Sequence, residues 1–285
     1  MKFLFLFIDG VGISDPAPDN PVNPEVCPVL CRLIQRNSVA IDARLGVDGI
    51  PQSATGQATI FTGINCAERM GRHCEGFPGP ALREIIEKDN LFLMLERMGH
   101  SVAFANAFLV DTPDELRLQR FKSVTTVMSL TMPNVIRTID DLYDNCAVVQ
   151  DITRETIQDH YPDIPIVSPQ KAAEHLVSIA RENDFTFFEF FQTDVSGHSL
   201  DYARACAVLR IYDRFLGAVC RYAETSGITV VITADHGNIE CMSGRSHTLN
   251  KVPFIVSGPN GKNFRTRVTS LVDVTPFFVE HFSRV

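Results

Sequence analysis

Five short runs of predominantly apolar residues constrain the fold of this chain more than any other feature of its sequence. The runs cover residues 3–8, 101–105, 185–191, 228–234 and 252–256. Their hydrophobicity is continuous rather than alternating, which is typical of strands that are covered on both faces of a sheet. They therefore predict strands that are buried in the middle of the molecule.

The segments between these runs carry helical patterns, and two of them have recognisable starts. Asn90 is a candidate N-cap, and Ser168 is a candidate N-cap followed by Pro169 at the first helical position. The predicted helices cover residues 24–36, 91–99, 169–183 and 201–227. Strands that alternate with helices indicate an α/β fold, in which helices sandwich one mostly parallel central sheet.

One segment, residues 108–165, does not follow this alternation. Its helical patterns around 131–145 and 150–165 are ragged. We therefore interpret 108–165 as a small insertion or cap, and residues 1–107 and 166–285 as the α/β core. A chain of 285 residues is long enough for such a core with one insertion.

Composition and hydropathy argue against some classes of binding partner and indicate the cellular compartment. The formal net charge of −8 argues against a face that binds nucleic acid or an anionic membrane, since both need a basic surface. No apolar stretch approaches the ~18 residues that cross a bilayer. The opening MKFLFLFIDG meets Asp9 after six apolar residues, which favours a core strand over a leader. The eight cysteines form no CxxC pair, as is typical of free thiols in the cytoplasm.

Charged side chains follow three of the five runs at the point where each predicted strand ends. Asp9 follows the first run, Asp194 the third, and Asp235 with His236 the fourth. Functional residues of α/β sheets lie outside the carboxyl ends of the strands, so these side chains are expected to converge. Crowded carboxylates repel one another unless cations neutralise them, which indicates a metal site at this edge.

Histidines complete a donor set for divalent metal ions. Asp194 and His198 are four residues apart, and His247 precedes the last apolar run. The Asp-x-x-x-His spacing is common by itself, whereas the whole set at strand ends is much more specific. The predicted metal ligands are Asp9, Asp194, His198, Asp235, His236 and His247. They suffice for two divalent ions, and mixed carboxylate and imidazole ligands suit Mn²⁺ or Zn²⁺.

The segment PQSATGQATIFTG, residues 51–63, supplies a candidate nucleophile. Ser53 precedes a helical run at 58–62, and a hydroxyl at a helix start meets free backbone N–H groups and the positive end of the helix dipole. A serine oxygen that binds a metal ion loses its proton near neutral pH and becomes a nucleophile. Thr55 is an alternative nucleophile, and a plain N-cap is an alternative role for Ser53.

The order of these residues resembles the alkaline phosphatase superfamily, and most closely its branch of cofactor-independent phosphoglycerate mutases and phosphopentomutases. The motifs that carry the resemblance are Asp9, Ser53, Asp194-x-x-x-His198, Asp235-His236 and HTLNKVPF. ADHGN and HT-x-N-x-VPF are highly specific to that branch, and SATGQ resembles its Ser-x-x-Gly nucleophile segment. The resemblance covers roughly 1–65 and 185–285.

The resemblance implies two metal sites and a phosphoserine intermediate. One site would be formed by Asp194, His198 and His247. The other would be formed by Asp9, Asp235, His236 and the Ser53 oxygen. Mutases of that branch commonly use manganese, and the related hydrolases commonly use zinc. The phosphoryl group would then pass to water in a phosphatase, or to a second substrate hydroxyl in a mutase.

The size of the inserted segment decides the order of the candidate functions. The mutases carry a large cap rich in arginine and histidine, whereas only about a hundred residues separate the nucleophile helix from the helix at 169–183. We therefore expect a hydrolase of a small phosphorylated metabolite first, and a phosphomutase of a sugar or glycerate phosphate second. A sulfatase ranks third, because residues 53–57 lack the Pro and Arg of that group's signature. A metal-binding scaffold without catalysis ranks low, because the ligands and the nucleophile are all present.

Three further side chains follow the nucleophile helix and are candidate substrate contacts. They are Arg69, Arg72 and His73. The alternative is a solvated loop in which these side chains meet only water.

Overall fold

The central sheet contains six strands in the part of the chain that the structure describes. A computed structural model of the chain describes residues 1–259 and 267–283. The strands are β1 Lys2–Ile8, β2 Ser38–Ile41, β3 Val102–Phe104, β4 Phe185–Phe190, β5 Ile228–Thr233 and β6 Val252–Ser257. Their spatial order is β2-β6-β5-β1-β4-β3. All five predicted strands are therefore confirmed.

The sheet is mostly parallel, as predicted, but β6 runs against its neighbours. Strands β3, β4, β1 and β5 are parallel, whereas β6 is antiparallel to both β5 and β2. The sequence reasoning missed β2, a four-residue edge strand in which only Ile41 is buried. A short and half-exposed edge strand has no continuous apolar run to reveal it.

Helices cover both faces of the sheet. They are α1 Pro28–Asn37, α2 Ser53–Thr62, α3 Cys66–Met70, α4 Pro80–Lys88, α5 Leu91–Arg97, α6 Pro113–Leu118, α7 Val124–Leu130, α8 Ile139–Tyr143, α9 Pro169–Glu182, α10 Gln192–Ser199, α11 Tyr202–Thr225 and α12 Val274–Phe282. Both predicted N-caps are confirmed: Asn90 accepts from two backbone N–H groups of α5, and Ser168 accepts from Lys171 N at 3.1 Å. Within residues 1–259 and 267–283, no helix has the length and hydropathy needed to cross a membrane.

The two faces of the sheet bury aromatic side chains against different helices. On one face, Phe5 of β1 packs against Phe61 of α2 and Phe278 of α12, with ring centroids 6.3 and 5.1 Å apart. On the other face, Phe188 of β4 packs against Phe215 of α11 at 5.3 Å. Each such pair adds about 0.5–1.5 kcal/mol to the stabilisation from apolar burial. This packing holds β1 in the middle of the sandwich and so fixes the position of the residues that follow it.

Residues 108–165 form short helices and turns around small apolar clusters of their own. One cluster includes Leu142 and Val149, and another includes Leu116. Helix α7 differs, because its Val127 is part of the main core. The segment is therefore partly integrated into the core, and the boundaries of a cap at 108 and 165 stay a prediction.

Candidate metal centre and nucleophile

The ends of three strands and the start of a fourth bring the predicted metal ligands to one edge of the sheet. These ligands are Asp9, Asp194, His198, Asp235, His236 and His247. The first five follow β1, β4 and β5, and Asp194 and His198 lie one turn apart in α10. His247 instead precedes β6, and it reaches the same edge because β6 is antiparallel to β5.

Asp194, His198 and His247 form one group of donors. His198 Nε2 lies 3.3 Å from Asp194 Oδ2, and His247 Nε2 lies 3.5 Å from Asp194 Oδ1. The Nε2 atoms of the two histidines are 3.0 Å apart. Ligand atoms of all three residues lie within 4.8 Å of one another, which is close enough to hold one metal ion. The structure thus brings together the three residues that were predicted for one site.

A second group surrounds the ring of His236. Its Nε2 lies 3.4 Å from Asp9 Oδ1, 3.4 Å from Asp235 Oδ2 and 3.0 Å from Ser53 Oγ. Asp194 also joins this group, because its ligand atom lies within 4.8 Å of those of Asp9 and His236. The Asp194 carboxylate therefore lies between the two groups, which the sequence did not indicate.

The hydrogen bonds of the three histidine rings indicate where their lone pairs point. His198 Nδ1 lies 2.8 Å from the carbonyl oxygen of Arg245, and His247 Nδ1 lies 2.9 Å from that of Pro51. His236 Nδ1 lies 3.4 Å from the carbonyl oxygen of Gly237. A carbonyl oxygen only accepts, so each Nδ1 carries the hydrogen and each neutral ring keeps a lone pair on Nε2. These lone pairs point at one another and at carboxylates. Such an arrangement suits divalent cations held by imidazole and carboxylate ligands.

Burial leaves the acidic residues of the site without compensating charge. Burial and the charges of Asp235 and Asp194 raise the pKa of Asp9 well above its usual value. Burial also raises the pKa of Asp235 to about 7, and neither of its carboxylate oxygens has a hydrogen-bond partner among the described residues. Burial lowers the pKa of both His236 and His247, so neither ring supplies a counter-charge. These residues therefore fit bound divalent metal ions, which would supply the missing positive charge.

Ser53 is placed beside this centre, and Thr55 is not. Ser53 is the first residue of α2, and Gln52 occupies the N-cap position, so a plain N-cap role for Ser53 is wrong. The Ser53 hydroxyl is half-buried and contacts His236. The Thr55 hydroxyl is fully buried, donates to Gln52 O at 3.3 Å and accepts from Cys74 N at 3.2 Å. These contacts favour Ser53 over Thr55 as the nucleophile.

The other residues of SATGQ fix the position of α2. A Cβ atom on Gly56 would lie 3.0 Å from the Cβ of Asp235, so only glycine allows the helix to come this close to the end of β5. Gln57 Nε2 donates to Asp9 Oδ2 at 3.0 Å. The motif therefore positions the serine and also orients a carboxylate from another strand.

Glu240 was not predicted, and its carboxylate connects three loops of the site. Its Oε2 accepts from Gly12 N and Asn238 N at 2.9 and 2.8 Å. Its Oε1 accepts from Thr248 Oγ1 and Asn250 Nδ2 at 2.5 and 3.0 Å. These donors lie after β1, after β5 and before β6. One buried carboxylate thus holds together the segments that carry most of the predicted metal ligands.

Two more residues escaped the sequence reasoning. Asn238 Nδ2, from ADHGN, donates to Asp194 Oδ1 at 2.6 Å and so orients the shared carboxylate. Glu189 lies within the phenylalanine-rich strand β4, accepts from Thr125 Oγ1 at 2.8 Å, and has a pKa raised by burial to about 7. Its charge also contributes to the raised pKa of Asp9. A buried carboxylate inside an apolar run indicates a polar environment next to the site.

The three predicted substrate contacts lie outside both groups of donors. Arg69 is exposed on α3, whereas Arg72 and His73 line a cavity beside α2. His73 Nε2 lies 3.3 Å from Val47 O. Contact of these residues with substrate stays a prediction.

The α/β fold and the gathered donors indicate a metalloenzyme. The chain belongs to the Metalloenzyme superfamily, whose family model matches residues 1–284. A curated relative is the 2,3-bisphosphoglycerate-independent phosphoglycerate mutase of Mycoplasmopsis synoviae, which is 28% identical over 127 residues. That match covers 42% of this chain and 25% of the relative. The chain thus spans about a quarter of the length of the curated relatives it matches.

Solved structures with the same fold cover the whole chain. The PH0037 protein from Pyrococcus horikoshii has a TM-score of 0.60 at 14% identity, over 100% of this chain and 97% of that one. The alkaline phosphatase of the Antarctic bacterium TAB5 has a TM-score of 0.55 at 10% identity, over 99% of this chain and 97% of that one. At these identities the likeness concerns the fold, and it confirms the expected alkaline phosphatase-like architecture.

Proposed function

We propose that this chain is a two-metal-dependent phosphoryl-transfer enzyme in which Ser53 is the nucleophile, and that it hydrolyses a small phosphorylated metabolite. The observation that carries the proposal is the 3.0 Å contact between Ser53 Oγ and His236 Nε2, a ring that also lies 3.4 Å from the buried carboxylates of Asp9 and Asp235. The position of Ser53 at the start of α2 adds support, because the free N–H groups and the dipole of a helix start favour a phosphate.

The proposal assigns the donors to two cations, Mn²⁺ or Zn²⁺. Asp194, His198 and His247 hold one cation, and their mutual distances of 3.0–3.5 Å support this set. Asp9, Asp235, His236 and the Ser53 oxygen hold the other. Divalent cations at these positions would lower the pKa of the serine hydroxyl and offset the negative charge of the phosphate.

The chemistry then follows from the residues of the chain. Ser53 Oγ, having released its proton to solvent water, forms a bond to phosphorus while the bond from phosphorus to the ester oxygen breaks. The leaving alkoxide takes up a proton from the solvent, which balances the proton that Ser53 released. A water molecule next attacks the phosphoserine, the Oγ–phosphorus bond breaks, and inorganic phosphate departs. Gln57 and Asn238 keep Asp9 and Asp194 in position throughout, since each donates a hydrogen bond to one of these carboxylates.

A phosphomutase is the second candidate, and the name of the curated relatives favours it. In that case a second hydroxyl of the substrate, rather than water, accepts the phosphoryl group. Transfer within one substrate requires that the dephosphorylated alcohol stay bound in the site until it takes the phosphoryl group back from Ser53. The small size of segment 108–165 and its short helices favour an open site and hydrolysis.

One assay tests the proposal and separates its two outcomes. The purified protein is loaded with Mn²⁺ or Zn²⁺ and given p-nitrophenyl phosphate and a panel of phosphorylated metabolites, with free phosphate and isomerised product recorded separately. We expect phosphate release that Ser53→Ala abolishes and Ser226→Ala, at the far end of α11, leaves intact. Isomer without phosphate would assign a mutase. A metal-loaded protein that turns over no ester would assign a non-catalytic scaffold, and an unchanged rate in Ser53→Ala would remove Ser53 from its role.

A further inference from the structure

Two buried cysteines at the start of α1 contact each other through their sulfur atoms. Cys27 Sγ and Cys31 Sγ are 3.8 Å apart. Cys27 has no exposed surface, and Cys31 is 8% exposed. All eight cysteines lie in the part of the chain that the structure describes, and no other two of them share a hydrogen bond there. The pair supplies none of the proposed metal ligands, and the proposed phosphoryl transfer does not use it.

The backbone at the start of α1 allows these sulfurs to come close. Residues four apart within a regular helix have Cβ atoms about 5–6 Å apart, whereas a disulfide needs about 4 Å. Cys27 is instead the N-cap of α1, with φ −135° and ψ 69°, so helical geometry does not fix its Cβ. Cys31 N donates to Cys27 O at 3.0 Å, which keeps the two residues one turn apart. A disulfide requires the sulfurs to close from 3.8 Å to about 2.05 Å.

The two thiols differ in acidity and in access to solvent. The hydrogen bond from Cys27 lowers the pKa of the Cys31 thiol, although burial and the charge of Asp213 act in the opposite direction. The same contact, together with burial, raises the pKa of the Cys27 thiol, which therefore keeps its proton. The thiolate is the form of cysteine that oxidants attack. Cys31 is thus the sulfur that an oxidant meets first, and Cys27 is the neighbour that can displace the oxidised group.

We propose that Cys27 and Cys31 form a redox-active dithiol site, which hydrogen peroxide converts to an intramolecular disulfide. The Cys31 thiolate attacks one peroxide oxygen and the O–O bond breaks, which leaves a sulfenic acid on Cys31 and a hydroxide ion. The hydroxide becomes water by taking up the proton that Cys31 released to solvent. Cys27 Sγ then attacks Cys31 Sγ, the S–O bond breaks, and the departing hydroxide takes the Cys27 proton. Two thiols lose two electrons in total, and one peroxide is reduced to two water molecules.

One tryptic peptide contains both cysteines, which gives the site a direct readout. No Lys or Arg lies between Phe3 and Arg32, and the other six cysteines fall in different peptides. The purified wild type is treated with stepwise additions of hydrogen peroxide, its remaining thiols are alkylated after unfolding, and the peptides are analysed by mass spectrometry. We expect peptide 3–32 to lose two hydrogen atoms and to resist alkylation, and dithiothreitol to restore both thiols. The same treatment in concentrated urea should lose the preference for this pair.

Two variants assign the roles of the sulfurs, and a third is the control. Cys27→Ser removes the attacking sulfur, so Cys31 should gain oxygen as sulfenic or sulfinic acid instead of losing hydrogen. Cys31→Ser should leave the buried Cys27 as a thiol that is alkylated fully after unfolding. Cys220→Ser, a half-buried position on α11, should form the disulfide as the wild type does.

The wild type alone can overturn the proposal, so the test stands even if a variant does not fold. The exposed thiol of Cys146 reports when peroxide has reacted with the chain. Two alkylatable thiols in peptide 3–32 after Cys146 has been oxidised would show that the pair is not redox-active. A bond from Cys27 or Cys31 to a third cysteine, or an equal yield of the 27–31 bond in urea, would show that the folded geometry does not direct the reaction.

Discussion

The Nε2 atoms of His198 and His247 face each other at 3.0 Å, while the Nδ1 atom of each ring lies against a backbone carbonyl. The carbonyls keep the hydrogens on Nδ1, so two lone pairs meet next to the carboxylate of Asp194. With the hydrogens on Nδ1, neither neutral ring can donate to the other. A divalent ion would accept both lone pairs, and metal binding is therefore expected to stabilise the folded chain.

Removal of one of these rings tests that coupling. We expect His247→Ala to lower the bound metal from about two ions per chain to about one, because a site with three protein ligands loses one of them. The rise in Tm on addition of Mn²⁺ or Zn²⁺ should shrink in parallel. Metal analysis after dialysis and thermal unfolding with and without EDTA measure both effects. His160→Ala, at an exposed position in 108–165, is the control, and equal metal content in the two variants would remove His247 as a ligand.

Glu240 is expected to matter for metal binding although it is not a predicted ligand. Glu240→Gln replaces one acceptor oxygen with an NH₂ group that meets two donors, so buried hydrogen bonds are lost. We expect a loss of roughly 2–4 kcal/mol in the free energy of unfolding. Metal affinity should fall by about 10–100-fold, as it does when a group that positions a ligand is changed. Denaturant unfolding and metal titration measure these losses.

A surface carboxylate provides the comparison for Glu240. Glu174, which is exposed and pairs with Lys171 on α9, can be changed to Gln in the same way. If Glu240→Gln bound metal as tightly as Glu174→Gln, the carboxylate would have no part in holding the loops of the site together.

The close approach of Gly56 to Asp235 gives a test of the nucleophile position. Gly56→Ala places a Cβ 3.0 Å from that of Asp235, so α2 and Ser53 must shift by a few tenths of an ångström. We expect kcat with p-nitrophenyl phosphate to fall at least about tenfold, since small misplacements of a reacting group are costly. The stability loss should stay near 1–3 kcal/mol, typical of an overpacked site.

The matched control for this change is Gly244→Ala. An added Cβ at Gly244 meets no atom within 4 Å, and the backbone there needs no positive φ. If Gly56→Ala and Gly244→Ala had the same kcat, the distance between α2 and the end of β5 would not control the chemistry.

The strands and the edge of the site follow from local sequence, but the direction of β6 does not. The continuous apolar run at 252–256 predicts a buried strand whichever way it runs. A strand parallel to β5 would place His247, which precedes it, at the opposite edge of the sheet. The antiparallel pairing of β6 with β5 puts His247 next to His236, with ring centroids 3.7 Å apart. Its place before an apolar run and the motif HTLNKVPF pointed to this histidine, but neither of them indicates which edge of the sheet it reaches.

Glu240 and the shared position of Asp194 lay beyond sequence reasoning for a different reason. The carboxylate of Glu240 accepts from Gly12 N, 228 positions away, and no local pattern reports such a contact. Asp194 lies between the two donor groups because α10 packs against Gly10 after β1 and Asn238 after β5, which is a property of tertiary packing. Residue types and strand ends therefore predict which donors gather, whereas packing decides how they are divided.

Glu189 gives a prediction about pH that does not depend on turnover. Burial raises the pKa of Glu189 from 4.5 in the unfolded chain to about 7 in the folded one. Between these values the folded chain binds more protons, so the free energy of unfolding must decrease as pH rises from about 4.5 through about 7. Glu189→Gln keeps an acceptor for Thr125 and removes this decrease. Above pH 8 the variant should be more stable than the wild type by on the order of 2–3 kcal/mol.

Urea unfolding of both proteins in EDTA, at intervals from pH 4.5 to 8.5, measures the difference. EDTA removes bound metal, whose affinity itself depends on pH. His236 and His247, whose lowered pKa values reduce stability on the acid side of about 6.5, are common to both proteins, so their effect cancels in the difference. Glu182→Gln should track the wild type at every pH, because that side chain is exposed. A constant difference between Glu189→Gln and wild type across this range would mean that Glu189 is not protonated in the folded chain near neutral pH.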